Sequence, residues 1–305
     1  RQVSIDVFVS VDRERLRKLF LLLYKRNDIE HKDIFLNAKK ILLTKKNYIQ
    51  LKQIVSSDKL LEKPTINNLL NDELFLLMLQ KSLVTDNLFE TILTITRREI
   101  LSLLIKSNLK ILEKKIEFIV SLAEQCFLNE YCFFQSNEEI DWKNQLKVSI
   151  ENNKEVNELE LAILGCYTPL INSKYILNKL LNYKSKNDLF NNLINTHIKE
   201  PLKENSFLGS IKSLDVISDP ISEMVREQYE ENPFPRWRYT YRKTPYNPLV
   251  IINNQINPNK IQLNDKFSSS NVLIAGCGTG KQIFIAQNYL NAKIFAVDLS
   301  KKSLA

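Results

Sequence analysis

Three of the chain's five glycines, Gly276, Gly278 and Gly280, lie within Asn271-Val-Leu-Ile-Ala-Gly-Cys-Gly-Thr-Gly-Lys281. Glycine admits positive φ and leaves bare main chain for a ligand to approach, so such a cluster is suited to cradling one. An apolar run, Val272 to Ala275, leads into it, and Gln282 to Leu290 follows with helical apolar spacing. Strand, glycine turn and helix read as the opening of a nucleotide-binding α/β unit, the helix start presenting N–H groups and partial positive charge. Spacing separates the nucleotide motifs. A P-loop would need glycine at Ala275 and a hydroxyl at Gln282, and without that hydroxyl there is no magnesium ligand. A G-x-G-x-x-G dinucleotide fingerprint would need glycine at Lys281, which leaves a NAD-binding domain the weaker alternative. What remains is G-x-G-x-G. Eighteen residues past Gly280, Asp298 closes a second short strand that begins at Lys293. A carboxylate there can accept hydrogen bonds from both hydroxyls of a ribose.

These residues resemble the class I S-adenosylmethionine (SAM)-dependent methyltransferases, whose first motif commonly reads V-L-D-x-G-C-G-T-G. The resemblance implies that the turn Gly276, Cys277, Gly278, Thr279, Gly280 packs against the methionine part of the cofactor. It also implies that Asp298 holds the ribose and Leu299 flanks the adenine, while Ser300 is placed to cap the next helix. Ile274 stands where many members carry an acidic residue, so one cofactor contact expected in the family is missing. Cys277 reads as a small filler, since no local base would activate it as a nucleophile.

Upstream, the composition changes over residues 216–265. Six of the nine prolines lie here: Pro220, Pro233, Pro235, Pro245, Pro248 and Pro258. Asp219-Pro220 opens a helix with Ile221, Met224, Val225 and Tyr229 on one face, ended by Pro233. The run Gln228-Tyr-Glu-Glu-Asn-Pro-Phe-Pro-Arg-Trp237 resembles a group of bacterial methyltransferases, often fused behind tetratricopeptide repeats, that carry Y-E-x-N-P-[YF]-P-R-W before the glycine motif. Cys126 to Tyr131 is similar to that group as well. Two roles compete for the run. As a lid, Tyr229, Phe234 and Trp237 would cover the cofactor, with Arg236 or Glu230 meeting its polar atoms. Aromatic faces attract a sulfonium cation, and closure excludes water. As an interdomain strap, the same aromatics would be core. Further on, Arg236, Arg238, Arg242 and Lys243 interleave with Trp237, Tyr239, Tyr241 and Tyr246. That pattern suits phosphates and stacked bases, or an extended strand with one aromatic face; nucleic-acid contact is the lesser reading.

The elements before residue 215 read as helices. One-sided apolar stripes mark Arg13–Lys25, Asp72–Ser82, Asn87–Ile105, Glu155–Cys166, Lys174–Asn182 and Asp188–Ile198. Leu109 to Phe134 reads as the longest, with Ile111, Ile116, Ile119, Leu122, Cys126, Leu128 and Tyr131 inward. No repeat period holds for three units. Within that longest helix, Gln125 and Asn129 (i, i+4) could share a polar pocket, although bonding between helices is the favoured reading. His197 reads as structural. Net charge is +8 and 44% of the residues are hydrophobic, enough for a core and permissive of an anionic partner without requiring one. Four cysteines without CxxC spacing and only two histidines argue against zinc, and unpaired thiols fit a reducing cytoplasm. No apolar run approaches membrane-spanning length.

The expectation is therefore a mixed fold: an α-helical region (1–215), a proline-rich linker or lid (216–265), and the N-terminal part of a Rossmann-like domain (266–305). Only two strands follow Asn271, so a fragment of a larger domain is expected. The expected activity is methyl transfer from SAM to an unidentified small-molecule or protein acceptor, by in-line attack on the sulfonium methyl. No catalytic base can be assigned. The alternative is a helical interaction scaffold with a vestigial or regulatory SAM-binding domain.

Overall fold

The structure, a computed structural model, describes residues 12–57, 59–214, 218–231, 233, 235, 237–240, 244–262 and 269–305. The chain divides into two compact units, Arg1–Pro201 with Arg238–Thr240, and Leu202–Trp237 with Tyr241–Ala305.

The first unit is helical. Its helices are α1 (Arg13–Lys25), α2 (Lys32–Leu42), α3 (Lys45–Ile54), α4 (Pro64–Leu70), α5 (Glu73–Lys81), α6 (Asn87–Ile105), α7 (Leu109–Glu113), α8 (Ile116–Leu128), α9 (Asn137–Asn152), α10 (Glu158–Gly165), α11 (Lys174–Leu180) and α12 (Asp188–Ile194). Side chains that accept the first orphan amides start many of them. Asp12, Thr44, Asp72, Asp86, Ser136, Asn157, Ser173 and Asn187 all act as N-caps. At α9 the cap is reciprocal: Ser136 Oγ accepts from the Glu139 amide and Glu139 Oε2 accepts from the Ser136 amide.

The unit is organised around α8. Every residue from Phe118 to Leu128 is buried, and α5, α10 and α12 pack on it. A helix buried on all sides requires neighbours on all sides. Its polar members are paired. Gln80 donates to Ser121, and Gln125 accepts from the Val84 amide at 2.8 Å while donating to the Leu79 and Ser82 carbonyls at 2.7 and 2.8 Å. Gln125 therefore makes the helix-to-helix bonds expected of it. Arg97 (1% exposed) reaches the Phe134 carbonyl and the Glu139 carboxylate, which also accepts from the Tyr167 hydroxyl at 2.9 Å.

The single long helix expected from Leu109 to Phe134 is two helices. It breaks at Lys114–Lys115, where the Lys115 amide closes back on the Leu112 carbonyl and the Lys115 ammonium turns inward to Asn67. Leu112 is buried in place of Ile111, which is 44% exposed. Beyond Leu128 the chain leaves the helix, with Tyr131 at φ 58°. At the other end of the unit, α12 passes into a π-helical turn over Asn195–Lys199 and then α13 (Glu200–Phe207). The unit boundary falls inside α13, after Pro201. His197 is fully buried with its ring 4.8 Å from that of Phe127. A Cβ at Gly165 would stand 3.4 Å from its Cε1, an ordinary van der Waals contact.

The second unit contains α14 (Pro220–Glu231), α15 (Pro248–Gln255), β1 (Asn271–Ala275), α16 (Lys281–Ala286), β2 (Lys293–Val297) and α17 (Lys301–Leu304). β1 and β2 pair in parallel, in register from Asn271↔Lys293 to Ala275↔Val297, and α16 packs on both strands. Alternation puts Val272, Ile274, Ile294 and Ala296 on a half-buried face, whereas Leu273 (69%) and Phe295 (61%), which are register partners, are exposed. α16 stops at Ala286, short of the helix expected to reach Leu290. Tyr289 instead makes a parallel bridge with Tyr246, and Tyr246 N donates to Asn288 O at 2.7 Å. Asp219 caps α14 through the Ser222 amide at 2.8 Å.

Candidate functional site

The turn between β1 and α16 is built from backbone. The amides of Gly276 and Cys277 both donate to the Val297 carbonyl, at 2.9 and 3.1 Å, tying the turn to the end of β2. Gly276, Gly278 and Gly280 all take left-handed conformations, with φ of 67°, 53° and 86°. A Cβ added at Gly276 or Gly278 would meet no atom within 4 Å. Glycine is needed there for conformation rather than for lack of room, and the space above the turn is open. Cys277 is buried and burial pushes its thiol up, as does the Asp298 carboxylate. That environment suits the filler it was expected to be.

Asp298 follows the last residue of β2 and faces the turn. Its Oδ2 accepts from the Gly278 amide at 2.7 Å and its Oδ1 from the Ser300 amide at 3.0 Å. The two features singled out by spacing, glycine cluster and acid, are thus joined by a direct bond. Ser300 is buried and caps α17 through the Ser303 amide at 3.0 Å.

The proline-rich run meets the turn from two places. Trp237 donates its indole N–H to the Thr279 carbonyl at 3.0 Å, and its ring stands edge-on to Phe284, 4.8 Å away. Thr279 in turn donates its hydroxyl to the Pro235 carbonyl at 2.9 Å. Glu230, at the end of α14, accepts from the Lys301 and Lys302 amides, so its carboxylate steadies the first turn of α17. Tyr229 and Leu299 are 41% and 42% exposed. No hydrogen bond or ring contact ties either to the turn among the described residues. Arg236 and Phe234, and likewise Tyr241, Arg242 and Lys243 of the basic–aromatic stretch, lie outside the described residues.

No family model, curated protein or solved structure matches this chain.

The first unit holds a second cluster that spacing did not disclose. Arg238 donates to Glu200 at 2.7 Å and to Glu124 at 3.4 Å, and Thr196 donates to the other Glu124 oxygen at 3.0 Å. Burial pushes the Glu124 carboxyl up to about 7 despite the pull of Arg238 and Thr196 in the other direction. Tyr239 lies edge-on to His31 (4.9 Å) with the Lys81 ammonium 4.7 Å from its ring centre. Arg238 and Tyr239 are therefore engaged with protein groups. Residues 237–240 form no strand, so the extended reading of the alternation does not hold there. One sequence clue to the cluster exists: a glutamate within the mostly apolar run of α8 must find a cation or a proton.

Proposed function

We propose that the second unit carries the opening βαβ portion of a Rossmann-like, class I SAM-dependent methyltransferase domain, and that the protein transfers a methyl group to an acceptor. One observation carries this reading: the Asp298 carboxylate addresses the glycine turn at 2.7 Å, beside glycines whose Cβ directions are empty. Those residues fit the cofactor. Open main chain at Gly276 and Gly278 suits the methionine portion, and the carboxylate oxygens, each with a lone pair beyond its backbone bond, suit ribose hydroxyls. When bound, SAM supplies an electrophilic methyl on sulfonium. The chain's own part is to bind and orient: the three left-handed glycines shape the cradle, Asp298 sets the sugar, and Cys277 fills the space beneath. Trp237, fixed on the Thr279 carbonyl, is placed to shield one side of the turn, which favours the lid reading. Ile274 leaves the amino-acid end of the cofactor without the acid that β1 usually provides.

Among the described residues no helix is long and apolar enough to cross a membrane, and the acceptor is taken to be a small molecule or a protein. Calorimetric titration of the full chain with S-adenosylhomocysteine tests the proposal. Saturable heat that Asp298→Ala abolishes supports it. No heat, or heat indifferent to that substitution, moves the assignment to a helical interaction scaffold.

A further inference from the structure

The helical unit contains a cavity of about 860 Å³ that includes no residue of the glycine turn or of the Glu124 cluster. One wall is α6, where Thr94, Arg98 and Ser102 recur every fourth residue and Lys106 follows one turn on. That spacing keeps them on one side of the helix over about 18 Å. Phe134, with Glu138 and Trp142 of α9, forms a second wall, and the chain after α3 a third. Small-molecule sites of this size combine apolar surface with a few charged groups. Phe134 is 76% exposed, yet its backbone is fixed, because the buried Arg97 donates to its carbonyl at 2.6 Å. Beside it Trp142 is half-buried. The two rings together leave apolar surface that a flat ligand would cover.

The charge left for such a ligand is positive. Glu99 lines the cavity, but its two oxygens accept the Leu60 and Leu61 amides at 2.6 and 2.8 Å. Those bonds fix the turn at which Lys59 takes a left-handed φ of 59°. Glu139 is buried and bonded to Arg97, Tyr167 and the Ser136 amide. Glu138 holds Arg98 at 2.8 Å with both side chains more than half exposed, a pairing that water already weakens and an incoming anion can replace. Lys59 is paired with Glu62 in the same exposed manner. No described carboxylate pairs with Lys106. A cation finds little here, because the Ser102, Leu103 and Leu104 carbonyls at the end of α6 accept the Lys106, Asn108 and Ser107 amides.

We infer that this cavity binds a planar aromatic anion, its ring against Phe134 and Trp142 and its charge on Arg98, with Lys59 and Lys106 adding to the positive field. Guanidinium suits the role, since its planar fork pairs with an oxyanion through two N–H groups at once. No residue of the glycine turn enters the site, so its test is independent of methyl transfer.

The test uses the full chain labelled with ¹⁵N. Its two tryptophans give two indole N–H resonances, and the one lost in Trp237→Phe leaves the other as Trp142. Naphthalene-2-sulfonate, 2-naphthylmethylammonium and sulfate are titrated as probes. The sulfonate should shift the Trp142 resonance saturably, with the ammonium about tenfold weaker, the effect of one charge-assisted hydrogen bond, and no saturable shift from sulfate over the same range. Phe134→Ala should weaken the sulfonate about tenfold while melting as the parent does, because the ring removed is exposed. Arg98→Gln should weaken it by a similar factor, and Glu138→Gln, which frees Arg98, should tighten it. No saturable shift at Trp142, the ammonium or sulfate binding as tightly as the sulfonate, or any of the three variants binding as the parent does overturns the inference.

Discussion

Replacing Asp298 by alanine removes the carboxylate that accepts the Gly278 and Ser300 amides at 2.7 and 3.0 Å. Hydrogen bonds to a charged group contribute ~1.5–3 kcal/mol each. Asp298 is only half-buried, so water replaces part of each bond and the lower figure applies. Two such bonds give a loss of about 3 kcal/mol for the second unit. The chain's two tryptophans, Trp142 and Trp237, fall one in each unit, so a Trp142→Phe background leaves Trp237 as a reporter of the glycine-turn unit alone. With a urea dependence of ~1.5 kcal/mol per molar, the Trp237 unfolding midpoint should fall by about 2 M. Asp298→Asn keeps one acceptor oxygen and should lose roughly half as much. A midpoint in Asp298→Ala that matches the parent would refute the bonded geometry, and with it the claim that acid and turn form one site.

Gly278→Ala should cost about 1–2 kcal/mol from its left-handed φ alone, since no atom waits within 4 Å of the new Cβ. Gly278→Asn should recover part of that in chemical denaturation, because asparagine tolerates the conformation. Trp237→Phe keeps the ring against Phe284 but loses the bond to the Thr279 carbonyl, a loss of about 1 kcal/mol. Trp237→Ala loses the ring too and should melt lower still by calorimetry; equal melting would show the indole N–H to be unbonded. Protonation should act on the helical unit in two opposed ways. Glu124 is raised from 4.5 to about 7, so its contribution is full below pH 4.5 and is lost as pH rises toward 7. His31 is lowered from 6.5 to about 4 by burial and by Lys81, so its contribution is full above pH 6.5 and is lost as pH falls toward 4. Glu124→Gln should therefore become more stable from pH 4.5 to 6.5, and His31→Phe less stable, while the parent changes little; parallel thermal-melt profiles for all three would contradict this.

Much of the helical region was legible because amphipathic spacing survives in the linear chain. α1 and α6 have the residues that periodicity assigned, and α14 begins at Pro220, where a capping aspartate and proline demanded it. Where the pattern misled, packing decided. A run helical on both sides of Lys114–Lys115 carries no mark of the break, since both halves satisfy the same period. α9 leaves little trace in the apolar periodicity because its stripe is weak, although Ser136-Asn-Glu-Glu139 spells a capping box. α16 ends early because Tyr289 finds a strand-like partner in Tyr246, forty-three residues away in sequence.

By itself the sequence determined the glycine turn, its strand-to-helix setting and the acid that follows, since left-handed backbone and residue spacing are local properties that no distant contact has to supply. Tertiary structure alone decided where the polar groups go. It joined Asp298 to Gly278, set Trp237 on Thr279, engaged Arg238 with Glu124 and Glu200, and bonded Gln125 to the backbone of Leu79, Ser82 and Val84. A hydrogen bond depends on a few tenths of an ångström between residues far apart in the chain, and that separation is a property of the packed molecule.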